Sequence, residues 1–110
     1  VILYGISTCD TCKQALKALQ AAGREVSFRD VRAAPLRADE IAAIVAEFGS
    51  RAVNMQSTTY RGFGDFLKAS EPEAQIAAQP AVMKRPVIRD GDRWYLGWDS
   101  ATRDALAGPG

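Results

Sequence analysis

The chain has 110 residues, 47% of them hydrophobic and 25% charged, with 14 basic against 13 acidic side chains and a net charge of +1. That size suits one domain burying roughly two-thirds of its unfolded surface, and the composition excludes a disordered or membrane-spanning chain. Near-neutral charge excludes the basic footprint of a direct nucleic-acid binder, and the absence of histidine removes Ser-His and Cys-His nucleophile pairs together with the commonest metal ligand.

Val1-Ile2-Leu3-Tyr4-Gly5 is a short apolar run with β-branched and aromatic residues, which predicts a strand covered on both faces. Cys12, Ala15, Leu16, Leu19 and Ala22 then recur at the spacing of one helix face, and Gly23 suits the cap that ends it. Val26 and Phe28 alternate within a second strand over 25–30, so the first 30 residues form a βαβ unit with parallel strands. After Pro35, Ile41, Ile44, Val45 and Phe48 predict a helix over 39–48 that stops at Gly49. Residues 50–58 read as polar and irregular. A short helix is expected over 59–69 with Phe63, Phe66 and Leu67 on its apolar side, and another over 71–79 with Pro72 in its first turn and Pro80 after it. Asp90-Gly91 between Val87-Ile88 and Trp94-Tyr95-Leu96 predicts an antiparallel hairpin with those two residues at the turn centre, and with Trp94, Leu96 and Trp98 on one face. Asp99 or Ser100 can cap a last helix to about Leu106, before a frayed tail over 108–110. The plan is α/β: βαβ, a helical insert over about 36–83, and ββα, in a single domain spanning 1–110. No secretory leader and no membrane span are evident, so the cytoplasm is the expected compartment.

The chemistry concentrates in Ser7-Thr8-Cys9-Asp10-Thr11-Cys12-Lys13, which holds both cysteines at C-x-x-C spacing where strand gives way to helix. With the helix beginning near Thr8 or Cys9, the Cys9 sulfur lies among unpaired backbone N–H groups at the positive end of the dipole, and Cys12 lies one turn further in on the apolar face. Cys9 is therefore the candidate nucleophile and Cys12 the neighbour within disulfide reach. Lys13 adds positive charge and Asp10 opposes it, so the direction of the Cys9 shift is not set by sequence. Two thiolates alone fall short of a four-coordinate zinc site, which only a dimer could complete, and no metal is expected. Lys84-Arg85-Pro86 leads into the third strand. Taken by itself it reads as a strand start beside a solvated charge.

Taken together, Tyr4-Gly5-Ile6 with Cys9-Asp10-Thr11-Cys12, Phe28-Arg29-Asp30-Val31-Arg32, the stretch from Asn54 to Arg61, and Lys84-Arg85-Pro86-Val87 resemble the arsenate reductase/Spx (ArsC-like) family of thioredoxin-fold proteins over nearly the whole chain, closest to its uncharacterised reductase-like branch. The resemblance implies a thioredoxin-like fold with a four-stranded mixed sheet, Cys9 as nucleophile, and a cis Arg85-Pro86 bond beside it. Cys9, Cys12 and Arg85 would carry the chemistry, with Thr8, Thr11, Lys13, Asn54 and Pro86 around the thiolate. Arsenate reductases of this kind pair the cysteine with three arginines. Arg85 matches one, and Asn54 and Trp98 stand at the other two positions, which depletes an oxyanion site of charge. The implied activity is thiol-disulfide exchange on glutathione or protein disulfides, with glutathione as co-substrate and no bound cofactor. The alternative is a redox-sensing Spx-type regulator that binds RNA polymerase, and arsenate reduction ranks behind both.

Overall fold

The structure is a computed structural model that describes residues 1–108, so Pro109 and Gly110 of the expected frayed tail lie outside the described residues. The chain forms two compact units, one of Val1–Asp30 with the chain from Arg85 onward, the other of Val31–Lys84.

The first unit holds β1 (Ile2–Gly5), α1 (Asp10–Ala21), β2 (Ser27–Asp30), β3 (Val87–Asp90), β4 (Arg93–Leu96) and a last helix, Ser100–Ala107. Its sheet runs in the order β2-β1-β3-β4, with β1 parallel to β2 and the other pairs antiparallel, the mixed arrangement of a thioredoxin-like fold. Register puts Phe28, Leu3, Ile88 and Tyr95 in one row across all four strands. Onto that row pack Cys12, Ala15 and Leu19 of α1 and Leu106 of the last helix, with Val1, Leu16, Val26 and Trp98 at the margin. Leu3, Leu19 and Ile88 are wholly buried, and each such side chain contributes about 1.5–3 kcal/mol over leaving it exposed. Tyr4 and Val87 point to the opposite face and are buried as well, so β1 is covered on both sides as its uniform hydrophobicity predicts.

The end of α1 follows from Gly23. At φ +81° it takes a left-handed conformation, its N–H donates to the Gln20 carbonyl and that of Arg24 to the Leu19 carbonyl, both at 3.0 Å. These are the two bonds of a Schellman ending, which satisfy carbonyls the helix leaves open. Arg24 then ties the unit's far end, donating to the Leu106 carbonyl and pairing with Asp90 at 3.1 Å.

Two details of the hairpin differ from the sequence expectation. Asp90 pairs with Arg93, so the central turn residues are Gly91 and Asp92, and only Gly91 has positive φ. A turn needing a single left-handed residue at its first position takes Gly there and leaves Asp in ordinary conformation. Trp98, expected beside Trp94 and Leu96, instead packs with Tyr95 against the α1 side of the sheet. The alternation ends because β4 stops at Leu96 and Gly97 turns the chain at φ +82°. The last helix begins as expected, with the Asp99 carboxylate accepting from the Thr102 N–H at 2.8 Å.

The second unit contains α2 (Ala38–Phe48), α3 (Thr58–Arg61), α4 (Asp65–Lys68) and α5 (Pro72–Ala78), which makes the Ser100–Ala107 helix α6. The single helix expected over 59–69 is two single turns. Gly62 and Gly64 flank Phe63 and break the path, so Phe63 turns inward at 8% exposure while Phe66 stands out at 89%. The side chain of buried Gln75 donates to the carbonyls of Leu67 and Lys68, at 3.0 and 3.3 Å, and so satisfies the open end of α4. Residues 50–58 are less irregular than expected. A 3₁₀ turn covers Gly49–Ala52, and Val53 bridges Met83, with the N–H groups of Asn54 and Lys84 donating to Val82 and Ala52 at 2.9 and 2.8 Å. The apolar Ala52 and Val53 at the centre of that bridge are buried. Among the described residues no helix is long and apolar enough to cross a membrane.

Candidate active site

Cys9 is the N-cap of α1, with extended backbone at φ −82° and ψ 120°. Its N–H donates back to the Ile6 carbonyl and its carbonyl accepts the first helical bond from Lys13, both at 3.0 Å, so the turn holds the residue from both sides. The sulfur stands where a serine or aspartate would cap a helix, with the first-turn N–H groups before it. It falls short of a regular capping bond, but the Cys12 N–H is near enough to favour a thiolate. The loop before Cys9 is tied to the end of β2 by the Ser7 N–H, which donates to an Asp30 carboxylate oxygen at 3.0 Å.

Cys12 is fully buried, and both thiols are free. Its sulfur rests on the end of β1. A Cβ added at Gly5 would lie 2.6 Å from the Cys12 Sγ and 3.2 Å from its Cβ, and the Ile6 N–H faces the sulfur. The seat for Cys12 is therefore the bare Gly5-Ile6 backbone.

Arg85 completes the group. It precedes β3, is half-buried, and directs its guanidinium toward the Cys9 sulfur, with its charge felt at Cys12 as well. The Arg85-Pro86 peptide is cis, as the resemblance implied, and Pro86 is buried.

The two thiols have opposite electrostatics. Burial raises the Cys9 thiol, but the Cys12 backbone N–H, the Cys12 thiol and the hydrogen bond and charge of Arg85 outweigh it, and Cys9 is held below the ordinary thiol value. The direction that sequence leaves open is thus fixed as a lowering. Burial pushes Cys12 up to about 11, helped by the Cys9 charge and only partly offset by the Ile6 N–H and Arg85. One thiol is set to ionise and the other to stay protonated.

The other predicted positions fall as follows. Thr8, Thr11 and Lys13 are exposed on the loop and first turn, and the charge acting on Cys9 is that of Arg85. Asn54 is exposed in the second unit, where its side-chain oxygen accepts from the Gln56 N–H at 3.1 Å. Cys9, Cys12, Arg85 and Pro86 all belong to the first unit. Sequence reasoning missed Gly5 and Asp30 as supports of the thiols. A glycine inside an otherwise bulky strand is the available signal for the first, since it marks close approach of another group. Asp30 gives no comparable signal. Among the described residues no group of three or more Cys, Asp or Glu side chains is disposed to hold a metal ion.

Comparison with known proteins identifies the family. Residues 4–106 match the ArsC family. An uncharacterized protein of Haemophilus influenzae is 31% identical over 104 residues, covering 90% of this chain and 91% of its own. The solved YFFB protein superimposes with a TM-score of 0.86 at 32% identity, over 96% of this chain and 97% of that one. An arsenate reductase related protein from Brucella melitensis gives 0.73 at 27% identity, over 94% and 91%. With a match that runs from within β1 to within α6 and encloses both the thiol turn and the cis-proline segment, the chain, with its thioredoxin-like fold, belongs to the ArsC family.

Proposed function

We propose that the protein is a cytoplasmic thiol-disulfide oxidoreductase in which Cys9 is the nucleophile and glutathione, or a glutathionylated protein, is the co-substrate. The observation that carries this reading is the Cys9 sulfur at the helix start, facing the Cys12 N–H and the Arg85 guanidinium, both of which favour its thiolate. The Cys9 thiolate attacks one sulfur of a disulfide; a Cys9–sulfur bond forms, the old S–S bond breaks, and the other half leaves as a thiolate. A second thiolate then attacks the mixed disulfide, releases Cys9 as thiolate and takes the bound half with it.

A free thiol delivers that second attack; in the other route Cys12 attacks the Cys9 sulfur, a Cys9–Cys12 disulfide forms and the bound half leaves as thiolate. The structure favours the free thiol, because Cys12 is fully buried and protonated far above neutral pH. Arg85 would then hold the Cys9 charge between turnovers and orient a substrate carboxylate.

The test is reduction of a glutathione mixed disulfide by the purified chain. Cys9→Ser is expected to abolish turnover, and Cys12→Ser to retain it at a reduced rate. Wild-type turnover in both variants would sink the reading. Arsenate reduction with glutathione, run alongside, is expected to be far slower than disulfide reduction, and the reverse order would overturn the substrate assignment.

A further inference from the structure

We propose that Gly5 is a positioning residue of this site: the side chain it lacks sets the depth at which the Cys12 sulfur lies, and so whether the Cys12 thiol reaches Cys9. The inference rests on reading Cys9 as a reactive thiolate and names what holds its partner in place.

The argument begins with what Gly5 is not needed for. Its backbone is ordinary strand, paired with Asp30 of β2, and it is absent from the five described glycines with positive φ. Conformational freedom therefore does not account for a glycine here, and space does. A Cβ would stand 2.6 Å from the Cys12 Sγ, a separation that real Cβ atoms essentially never show, and 3.2 Å from the Cys12 Cβ and a Leu3 methyl. The obstacle nearest to it is the sulfur itself. Cys12 cannot swing aside, because it is wholly buried in the cluster with Leu3, Ala15, Leu19 and Ile88.

The consequence reaches Cys9 through one contact. With its sulfur seated on the Gly5-Ile6 peptide, Cys12 meets the Ile6 N–H below and Cys9 above. The titratable and charged groups that face the Cys9 sulfur are Cys12 on its own helix and Arg85 from the segment before β3. A methyl group at position 5 displaces the Cys12 thiol alone, so the thiol's contribution is removed while the Cys12 N–H and Arg85 still act.

The experiment follows the rate of Cys9 alkylation against pH in the wild type, Gly5→Ala, Cys12→Ala and the double variant, with thermal unfolding of each. The wild-type profile is expected to rise at lower pH than that of an ordinary thiol. Gly5→Ala and Cys12→Ala should both move it upward, and the double variant should match Cys12→Ala within about two-fold, because two changes acting through one contact do not add. The double variant should also unfold close to Cys12→Ala, since removing the sulfur leaves no atom nearer than 3.2 Å. If Gly5→Ala does not fold, recovery of folding in the double variant supports the proposal, and failure of the double variant to fold overturns it. A Gly5→Ala profile equal to wild type, or additive shifts in the double variant, overturns it too and leaves the Cys9 reading standing. An ordinary wild-type profile overturns both.

Discussion

The inequality of the two thiols gives a prediction with a calculable size. A thiol with pKa near 8.5 is about 3% ionised at pH 7, whereas one near 11 is about 0.01% ionised, a deficit of about 300-fold. The more basic thiolate is intrinsically the better nucleophile. With a Brønsted slope of about 0.4–0.5 it regains roughly ten-fold over that interval, so a deficit of about 30-fold remains before any loss of access is counted. Formation of the Cys9 mixed disulfide removes the Cys9 charge and lowers Cys12 somewhat, but burial, the largest cause of the shift, persists. The assay is alkylation of each cysteine at pH 7, resolved by mass spectrometry and referred to an unfolded control. Cys9 is expected to react at least as fast as the control and Cys12 at least about 30-fold slower. In the Cys12→Ser variant, turnover supported by free glutathione should persist. Alkylation of Cys12 within about three-fold of the control would refute the reasoning, because it would leave an accessible, ionisable thiol fully able to resolve the mixed disulfide.

Three further outcomes are expected. Arg85→Met removes a charge and a donor that both lower Cys9, so Cys9 alkylation should slow by up to roughly ten-fold at pH 6–7 and converge with wild type at high pH, with Arg85→Lys intermediate; loss at every pH alike would point to a steric role instead. Leu19→Ala empties a fully buried position between α1 and the sheet and should cost about 3 kcal/mol in denaturant unfolding, and a loss under about 1 kcal/mol would mean the cluster is not the packed centre of this unit. Because Cys12 has a folded pKa of about 11, above the ordinary thiol value of about 8.5, its contribution to stability is complete below that ordinary value and is lost as pH rises toward 11; Cys12→Ala should flatten that alkaline limb, and an unchanged limb would assign it to other groups.

What the sequence discloses depends on how local the cause is. The βαβ unit is legible because Val1 to Gly5 has no polar interruption and Cys12, Ala15 and Leu19 keep helical spacing, and the burial of all three bears out the face they define. The end of α1 is legible for the same reason, since Gly23 alone decides it. Trp98 is misread because alternation says nothing about where a strand stops, and Gly97 reverses the face one residue earlier than the pattern suggests. The break between α3 and α4 is carried by Gly62 and Gly64, a signal present in the sequence but outweighed there by three apolar side chains at helical spacing. At the site, the spacing of Cys9 and Cys12 gives their order along the helix. Their opposite electrostatics do not follow from spacing, because burial of Cys12 and the approach of Arg85 come from residues 3, 5 and 85–86, which no local window contains.

Charge counting at Cys9 also bears on what the site can receive. Arg85 is the cation directed at the Cys9 sulfur, and a thiolate takes up one positive charge. A disulfide substrate is neutral at its reacting atoms and leaves as a thiolate of the same charge as the attacking one, so a single guanidinium serves both ends of the exchange. An oxyanion such as arsenate brings further negative charge, each part of which needs a donor or cation of its own in place of water. The two positions that hold arginine in the resemblance hold no charge here. Trp98 is packed as an apolar side chain against the core of the first unit, and the Asn54 side-chain oxygen is occupied by its own turn in the second. The residue types therefore suit a reaction that conserves one negative charge, which is what the proposed thiol-disulfide exchange at Cys9 does.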